Sequence, residues 1–412
     1  MDAFDYDKKA ATLNCVRHFI SKSLNSTAEA LEVSMIDPVR QDIVANARTV
    51  VVKVGTNVLT SDDGRLDAVR IQSLADQIYR LRQGGRQVAL VSSGAIGAGV
   101  GRLGLGKRPV DLPHLQACAA VGQTLLMRAY QESFDRYNVH TAQILLTASD
   151  FDNRTRYLNA RNTISTLFEW KVLPIINEND TVSIAEIKVG DNDHLAAMVT
   201  NLLQAPLLVL LTNVDGLFSG DPGGDPNAKK VSTVSQIDIS VMEMAGAGKS
   251  ALGTGGMRSK LRAARLATVA GESVVMANGA VPGILDAIFA GELVGTLFLP
   301  HGSSLPAWKR WLGFTAQPKG KLLLNDGAAN AVRTLGKSLL PVGVVEIQGS
   351  FHKGDVVSLC DVTGTEFARG LTNYSADEAR QLIGLRTEKI VEVVGTVLYE
   401  EIVHRDNLVV TG

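Results

Sequence analysis

The chain has very little cysteine: Cys15, Cys118 and Cys360 lie far apart among 412 residues and form no C-x-x-C pair. That spacing indicates neither a disulfide framework nor a cysteine-bound zinc. Seven histidines form no metal-ligand pair either. Charge of one sign is also lacking. The formal net charge is −1, so nothing marks a nucleic-acid or membrane surface. No apolar run approaches the ~18 residues that a membrane span requires. The first residues carry Asp2, Asp5 and Asp7 and lack the apolar stretch of a secretory signal. A cytoplasmic protein is expected.

With 45% hydrophobic and 20% charged residues, the composition is that of a globular chain able to bury a large core, and its length implies two or three domains. Residues 1–46 read as an extension of one or two amphipathic helices followed by the turn-like Ile36-Asp-Pro38; Met35 offers a second start, and no role is assigned. From Thr49 onward, short apolar runs alternate with helical stretches: Val50–Val54, Val88–Val91, Ala142–Leu146, Val172–Ile176, Leu207–Leu211, Ser273–Met276 and Thr296–Leu299. Several are β-branched and apolar at consecutive positions, as strands buried on both faces are. Helical patterns such as Val69–Gln83 lie between them. This alternation predicts an α/β fold with an open, mainly parallel sheet sandwiched between helices, over residues 47–300.

Residues 301–318, with Pro306, Pro318 and Trp308-Lys-Arg-Trp311, read as a linker whose tryptophans pack on a neighbouring domain. Residues 319–401 show short strands with glycine turns (Val342–Ile347, Asp355–Leu359, Glu366–Gly370) and one helix, Ala328–Leu335, which predicts a small β-rich domain. Residues 402–412 are assigned to a tail.

In an open parallel sheet, ligands gather at the carboxyl ends of the strands, and four polar clusters follow apolar runs here. In Val51-Val-Lys-Val-Gly-Thr-Asn57, Lys53 stands inside a buried strand, a costly place unless its ammonium meets an anion; a stem reaching to the surface is the alternative. Gly55 allows close backbone approach. Leu90-Val-Ser-Ser-Gly-Ala-Ile-Gly-Ala-Gly99 runs from a strand into a small-residue helix start, where Ser93 and Gly94 suit a carboxylate, though tight helix–sheet packing explains the small residues equally. Pro174-Ile-Ile-Asn-Glu-Asn-Asp180 and Glu186-Ile-Lys-Val-Gly-Asp-Asn-Asp-His194 crowd amides and carboxylates at strand ends. Asp180 suits a substrate ammonium, Asn177 and Asn192 a carboxylate, and Asp191 and Asp193 suit orienting lysines or siting magnesium. Leu210-Leu-Thr-Asn-Val-Asp-Gly216 offers Thr212 and Asn213 to a nucleotide.

The glycine-rich stretch Gly246–Lys260 presents two phosphate candidates. Gly246-Ala-Gly-Lys-Ser250 resembles a Walker A loop, but Glu243 stands where the motif needs its first glycine. Gly253-Thr-Gly-Gly-Met-Arg-Ser-Lys260 is the better candidate, because its glycines precede a helical pattern and so sit at a helix N-terminus.

Together these pieces resemble the amino acid kinase family: Val51-Val-Lys-Val-Gly-Thr56, Ser93-Gly-Ala-Ile96, Leu158-Asn-Ala-Arg161, Ile176-Asn-Glu-Asn-Asp180, Glu186-Ile-Lys-Val-Gly-Asp-Asn-Asp193 and Gly253-Thr-Gly-Gly-Met257 with Lys260, in order over residues 48–300. The C-terminal part resembles a PUA domain. The resemblance implies transfer of the γ-phosphoryl group of ATP, with Mg2+, to the side-chain carboxylate of L-glutamate, the first step toward proline. It implies catalytic roles for Lys53, Lys260 and Asp193, glutamate binding by Ser93, Asp180 and Asn192, and an ATP site of Lys53, Thr212, Asn213, Thr254, Gly255, Gly256, Met257, Arg258, Ser259 and Lys260, with no protein-bound metal. Many members have Thr-Asp where this chain has Thr212-Asn213. A homo-oligomer and inhibition by L-proline are further implications. Another acid as acceptor is one alternative. RNA binding through the PUA domain is another, against which residues 319–412 carry ten Lys/Arg and twelve Asp/Glu.

Overall fold

The computed structural model describes residues 36–61, 65–182, 192–225, 227–245, 256–301, 309, 311–385 and 400–411. In chain order the first strands are β1 (Thr49–Val54), β2 (Gln87–Ser92), β3 (Thr141–Leu146), β4 (Leu173–Glu178) and β5 (Leu207–Thr212). The short pieces β6 (Leu217–Phe218), β7 (Lys230–Val231) and β8 (Thr233–Val234) follow, then β9 (Ser273–Asn278) and β10 (Thr296–Phe298). Eight of these make one sheet in the order β3-β4-β2-β1-β5-β9-β10-β8. The six strands from β3 to β9 are parallel, and β10 runs antiparallel to β9. The expected α/β architecture is therefore present.

The reason lies in the runs themselves. β5, Leu-Leu-Val-Leu-Leu-Thr, is buried at every position, and β1 is buried at all but its first. Such strands need helices on both faces. On one face Val51, Ala89, Ile176, Leu208 and Met276 pack with helices Asn192–Leu203 and Met257–Ala270. On the other, Val50, Val52, Leu90 and Ile175 pack with helices Ala68–Gln83 and Leu112–Asp135. Each buried valine or leucine contributes about 1.5–3 kcal/mol of transfer free energy.

The second sheet contains β11 (Gly320–Leu324), β12 (Val344–Gly349), β13 (Val356–Cys360), β14 (Glu366–Thr372) and β15 (Val403–Val410), in the order β12-β11-β13-β14-β15. Its expected helix spans Asp326–Arg333, slightly ahead of the predicted position, because Asn325 caps it by accepting from the Ala328 amide. A second helix, Ala376–Leu382, follows β14.

Three boundaries differ from the sequence expectation. Residues 402–412 are no free tail: β15 pairs antiparallel with β14 and closes that edge of the small sheet. Residues 38–46, assigned to the extension, form a helix capped by Asp37. Buried Arg40 in that helix donates to the carbonyls of Val294 (2.5 Å) and Ser232 (2.7 Å), which ties it to the large domain. Within the linker, Trp311–Thr315 is a buried helical turn. The Trp311 indole donates to the Phe151 carbonyl at 2.8 Å, and the Gln317 amide donates to Asp152 Oδ1 at 2.8 Å. Trp311 thus packs into the large domain, while the Arg369 guanidinium of β14 donates to the Ala316 carbonyl at 3.0 Å. Trp308, Met35 and Cys15 lie outside the described residues. No helix among the described residues is long and apolar enough to cross a membrane.

Candidate active site

The carboxyl ends of β1, β2, β4 and β5 lie side by side at the middle of the large sheet, and the polar clusters follow from them. Lys53 is the penultimate residue of β1, paired between Val91 and Leu210 of its neighbours. Helix Asn192–Leu203 crosses beneath the sheet and begins at this edge, which brings Asp193 to Lys53. Helix Met257–Ala270 packs beside it and contributes Lys260 from its first turn.

The three side chains form one ionic group. Asp193 Oδ1 lies 2.5 Å from Lys53 Nζ, and Asp193 Oδ2 accepts from Lys260 Nζ at 3.0 Å. Asp193 is fully buried, while Lys53 and Lys260 are 5% and 9% exposed. Burying isolated charges is expensive, but a carboxylate shared by two ammonium groups offsets much of that cost. Two ammonium groups converging at one strand edge favour an anion at their exposed side. Gly55 follows directly: a methyl group built there would lie 3.8 Å from Lys53 Nζ, so a bare backbone keeps this approach open.

Beside it is an uncharged cluster. Asn192 Nδ2 lies 2.8 Å from the Ser92 carbonyl, 2.9 Å from Ser93 Oγ and 2.9 Å from Asn177 Oδ1. One amide thus ties the end of β2 to the end of β4. Gly94 follows with φ 105° and starts helix Ala95–Arg102, a left-handed conformation that favours glycine. Asn177, expected to meet a carboxylate itself, is 2% exposed, and its amide is engaged: Nδ2 donates to Gln123 Oε1 at 2.8 Å, while Oδ1 accepts from the Glu178 amide at 2.9 Å. It stands behind Asn192. Asp180 lies beyond β4, half-buried. Burial pushes its pKa up, and the Arg108 guanidinium opposes that shift in part.

The nucleotide side is less complete among the described residues. Buried Thr212 ends β5, and its hydroxyl donates to Asn213 Oδ1 at 3.3 Å. Gly256 precedes helix Met257–Ala270, Ser259 Oγ donates back to its carbonyl at 2.8 Å, and Arg258 is exposed. Thr254, Gly255, Asp191 and the near-Walker segment Gly246–Ser250 lie outside the described residues.

Lys53, Asp193 and Lys260 are therefore brought together, as are Ser93 and Asn192. Reasoning from sequence overlooked Gln123, Ser92 and Tyr130. The Tyr130 hydroxyl lies 2.9 Å from Ser92 Oγ, with both residues wholly buried. A tyrosine and a glutamine at helical spacing in an otherwise apolar helix face were the signals available for two of them.

Residues 48–278 match the model of the amino acid kinase family, and residues 320–394 match that of the PUA domain. A glutamate 5-kinase from Nitrosococcus oceani is 49% identical over 370 residues, covering 90% of this chain and 98% of that protein. One from Geobacter sulfurreducens is 47% identical over 371 residues, covering 90% of this chain and 100% of its own length. One from Caldanaerobacter subterraneus subsp. tengcongensis is 46% identical over 361 residues, covering 88% and 97%. With two matched domains and near full-length likeness, the chain belongs to the amino acid kinase family, in its glutamate 5-kinase branch, and carries a C-terminal PUA domain.

Proposed function

We propose that the chain transfers the γ-phosphoryl group of ATP to the side-chain carboxylate of L-glutamate, giving L-glutamyl 5-phosphate. The observation that carries this reading is the buried Lys53–Asp193–Lys260 group at the carboxyl edge of the sheet, beside an uncharged amide and hydroxyl pocket. A carboxylate is already nucleophilic and needs no general base. What it lacks is freedom from repulsion by the phosphate it attacks. Two ammonium groups on one rigid carboxylate supply that, because they are held in position before the reaction begins. Lys53 and Lys260 contact the transferring group in this reading, and Asp193 positions both.

Ser93 binds a carboxylate of the acceptor amino acid through its hydroxyl, Asn192 offers its amide oxygen to the acceptor's ammonium, and Asp180 takes that ammonium. Thr212, Asn213 and residues 254–260 hold the nucleotide. No group of three or more His, Cys, Asp or Glu side chains suited to a metal is gathered among the described residues. In this reading magnesium enters as part of the substrate, carried on the ATP phosphates. A cytoplasmic homo-oligomer inhibited by L-proline belongs to the same reading; sedimentation and proline titration test those two properties.

The test of the reaction is ADP release with glutamate, aspartate, acetylglutamate and carbamate offered separately. Glutamate alone should support turnover. Preference for any of the others would reassign the acceptor pocket.

A further inference from the structure

We infer that Gln123 and Tyr130, on the outer helix Leu112–Asp135, are positioning residues for the acceptor pocket; this rests on the function proposed above. The pair is seven residues apart, which is close to two helical turns and places both on one face. Each acts through a buried polar residue at a strand end.

The Tyr130 branch runs through Ser92. Ser92 Oγ donates to the Ser93 carbonyl at 3.2 Å and lies 2.9 Å from the Tyr130 hydroxyl. With its own proton on Ser93, Ser92 accepts the proton of Tyr130. The order is therefore Tyr130 O–H to Ser92 O–H to the Ser93 carbonyl. That carbonyl belongs to the peptide joining Ser93 to Gly94, so the relay fixes the plane of the peptide that opens helix Ala95–Arg102. It also fixes Ser93, whose hydroxyl meets Asn192. Burial pushes the Tyr130 phenol far up, so it stays protonated as this order requires.

The Gln123 branch runs through Asn177. Gln123 Nε2 donates to Gln143 Oε1 at 3.1 Å, and its Oε1 accepts from Asn177 Nδ2 at 2.8 Å. The Glu178 amide already sets the sense of the Asn177 amide, and Gln123 holds the other end, which keeps Oδ1 toward Asn192 Nδ2. If the Asn177 amide turned over, two NH2 groups would face each other and Asn192 would be displaced. Both branches end on Asn192, the residue before Asp193, so a tilt of the pocket and a tilt of the lysine carrier are coupled.

The helix is held close enough for this to work. A methyl group at Gly122 would lie 1.8 Å from the Ala95 carbonyl oxygen, and one at Gly99 would lie 1.9 Å from the Cys118 carbonyl oxygen. Helices Ala95–Arg102 and Leu112–Asp135 therefore cross at backbone contact, and side chains on the second reach the strand ends directly.

The experiment is steady-state kinetics with thermal melting on the full chain. The variants are Tyr130→Phe, Gln123→Leu and the double Ser92→Ala/Tyr130→Phe. Removing both hydroxyls leaves no buried donor unmade, so the double variant should melt close to the parent. Its KM for glutamate should nevertheless rise about tenfold, with ATP KM changed by less than about twofold, the scale of one lost hydrogen bond on one substrate. Gln123→Leu should move glutamate KM the same way. An unchanged glutamate KM in a double variant of parental stability overturns the inference, as does a parallel rise of both KM values. Should the parent chain prefer another acid, the functional reading fails separately, and the same KM comparison is read with that acid.

Discussion

The two sheets of this chain bury different things. At the carboxyl edge of the large sheet, three charged residues are buried: Lys53, Asp193 and Lys260. Among the described residues of the small sheet's domain, no charged side chain is buried; its buried polar groups are the hydroxyls of Ser358 and Thr372. Thr372 satisfies its own hydroxyl locally by donating to the Tyr374 carbonyl at 2.8 Å. Ion pairs of that domain such as Arg380–Asp377 and Arg405–Asp406 lie at the surface. The large domain buries charge at this edge and also at Arg40 and Glu272, whereas the small domain leaves its charges solvated, where they contribute little. The large sheet thus spends stability on a site, whereas the small one is built as a conventional core.

The seam between the two sheets gives the largest expected effect. Trp311 donates to the Phe151 carbonyl, meets the edge of Tyr157 at 6.5 Å and lies under the Arg154 guanidinium. Trp311→Ala should destabilise the chain by about 3–5 kcal/mol, as truncation of a buried tryptophan does. Chemical denaturation measures it. A shorter chain ending at Gln317 keeps this residue and should remain a folded, active kinase, whereas one ending at Pro300 should not match its stability. Equal melting of the two would mean that residues 311–317 belong with the small sheet instead.

Next in size are the two lysines. A cation on the transferring group matters most in the transition state, so Lys53→Ala and Lys260→Ala should each lower kcat by about 10²–10³, or roughly 3–4 kcal/mol. Their effect on substrate KM should be small. Near-normal kcat in Lys260→Ala would show that the buried ionic group is structural, and the contrast between the sheets would lose its functional meaning.

How much of this was legible beforehand follows from what each signal encodes. The core strands announced themselves because burial on both faces demands continuous apolar residues, and Val50–Val54 and Leu207–Leu211 have no other use. Lys53 stood out because it breaks such a run. Lys260 and Asp193 came from their motifs, yet their meeting on one carboxylate depends on two helices crossing, which no local pattern records. Ser92 and Tyr130 were silent for a similar reason. A serine beside Ser93 and a tyrosine in a long helix have ordinary explanations until the tertiary contact joins them. β15 was missed because a strand at a sheet edge needs only partial apolar alternation, and His404, Arg405 and Asp406 interrupt it.

A smaller effect concerns pH. Burial raises the Asp180 pKa, with Arg108 opposing. Its carboxylate must be ionised to hold an ammonium, so glutamate binding should be strong above that raised pKa and weaken as pH falls through it. The acid limb of kcat/KM for glutamate should therefore lie above the ordinary aspartate range. Asp180→Asn should remove the limb and raise glutamate KM by about tenfold or more, while ATP KM stays near the parent's, because an ammonium far from the reacting bond is bound equally in ground and transition states. If the limb persists in Asp180→Asn, another group binds the ammonium.

The smallest effect belongs to the small sheet's surface. Arg380 pairs with Asp377 at 2.8 Å and donates to the Gly349 carbonyl at 2.6 Å. The pair is exposed, so solvent screens it and side-chain ordering offsets most of its attraction; such pairs contribute about 0.2–1 kcal/mol. Arg380→Ala should lower the melting temperature by no more than about 2–4 °C. Glutamate KM, ATP KM and kcat should all stay at the parent's values, since no buried charge connects this corner to the carboxyl edge of the large sheet. A clear drop in kcat without loss of stability would break the comparison at its weakest point. It would mean that the small domain biases the site through the Arg369–Ala316 and Trp311–Phe151 contacts, and that the two sheets, different in what they bury, work as one device.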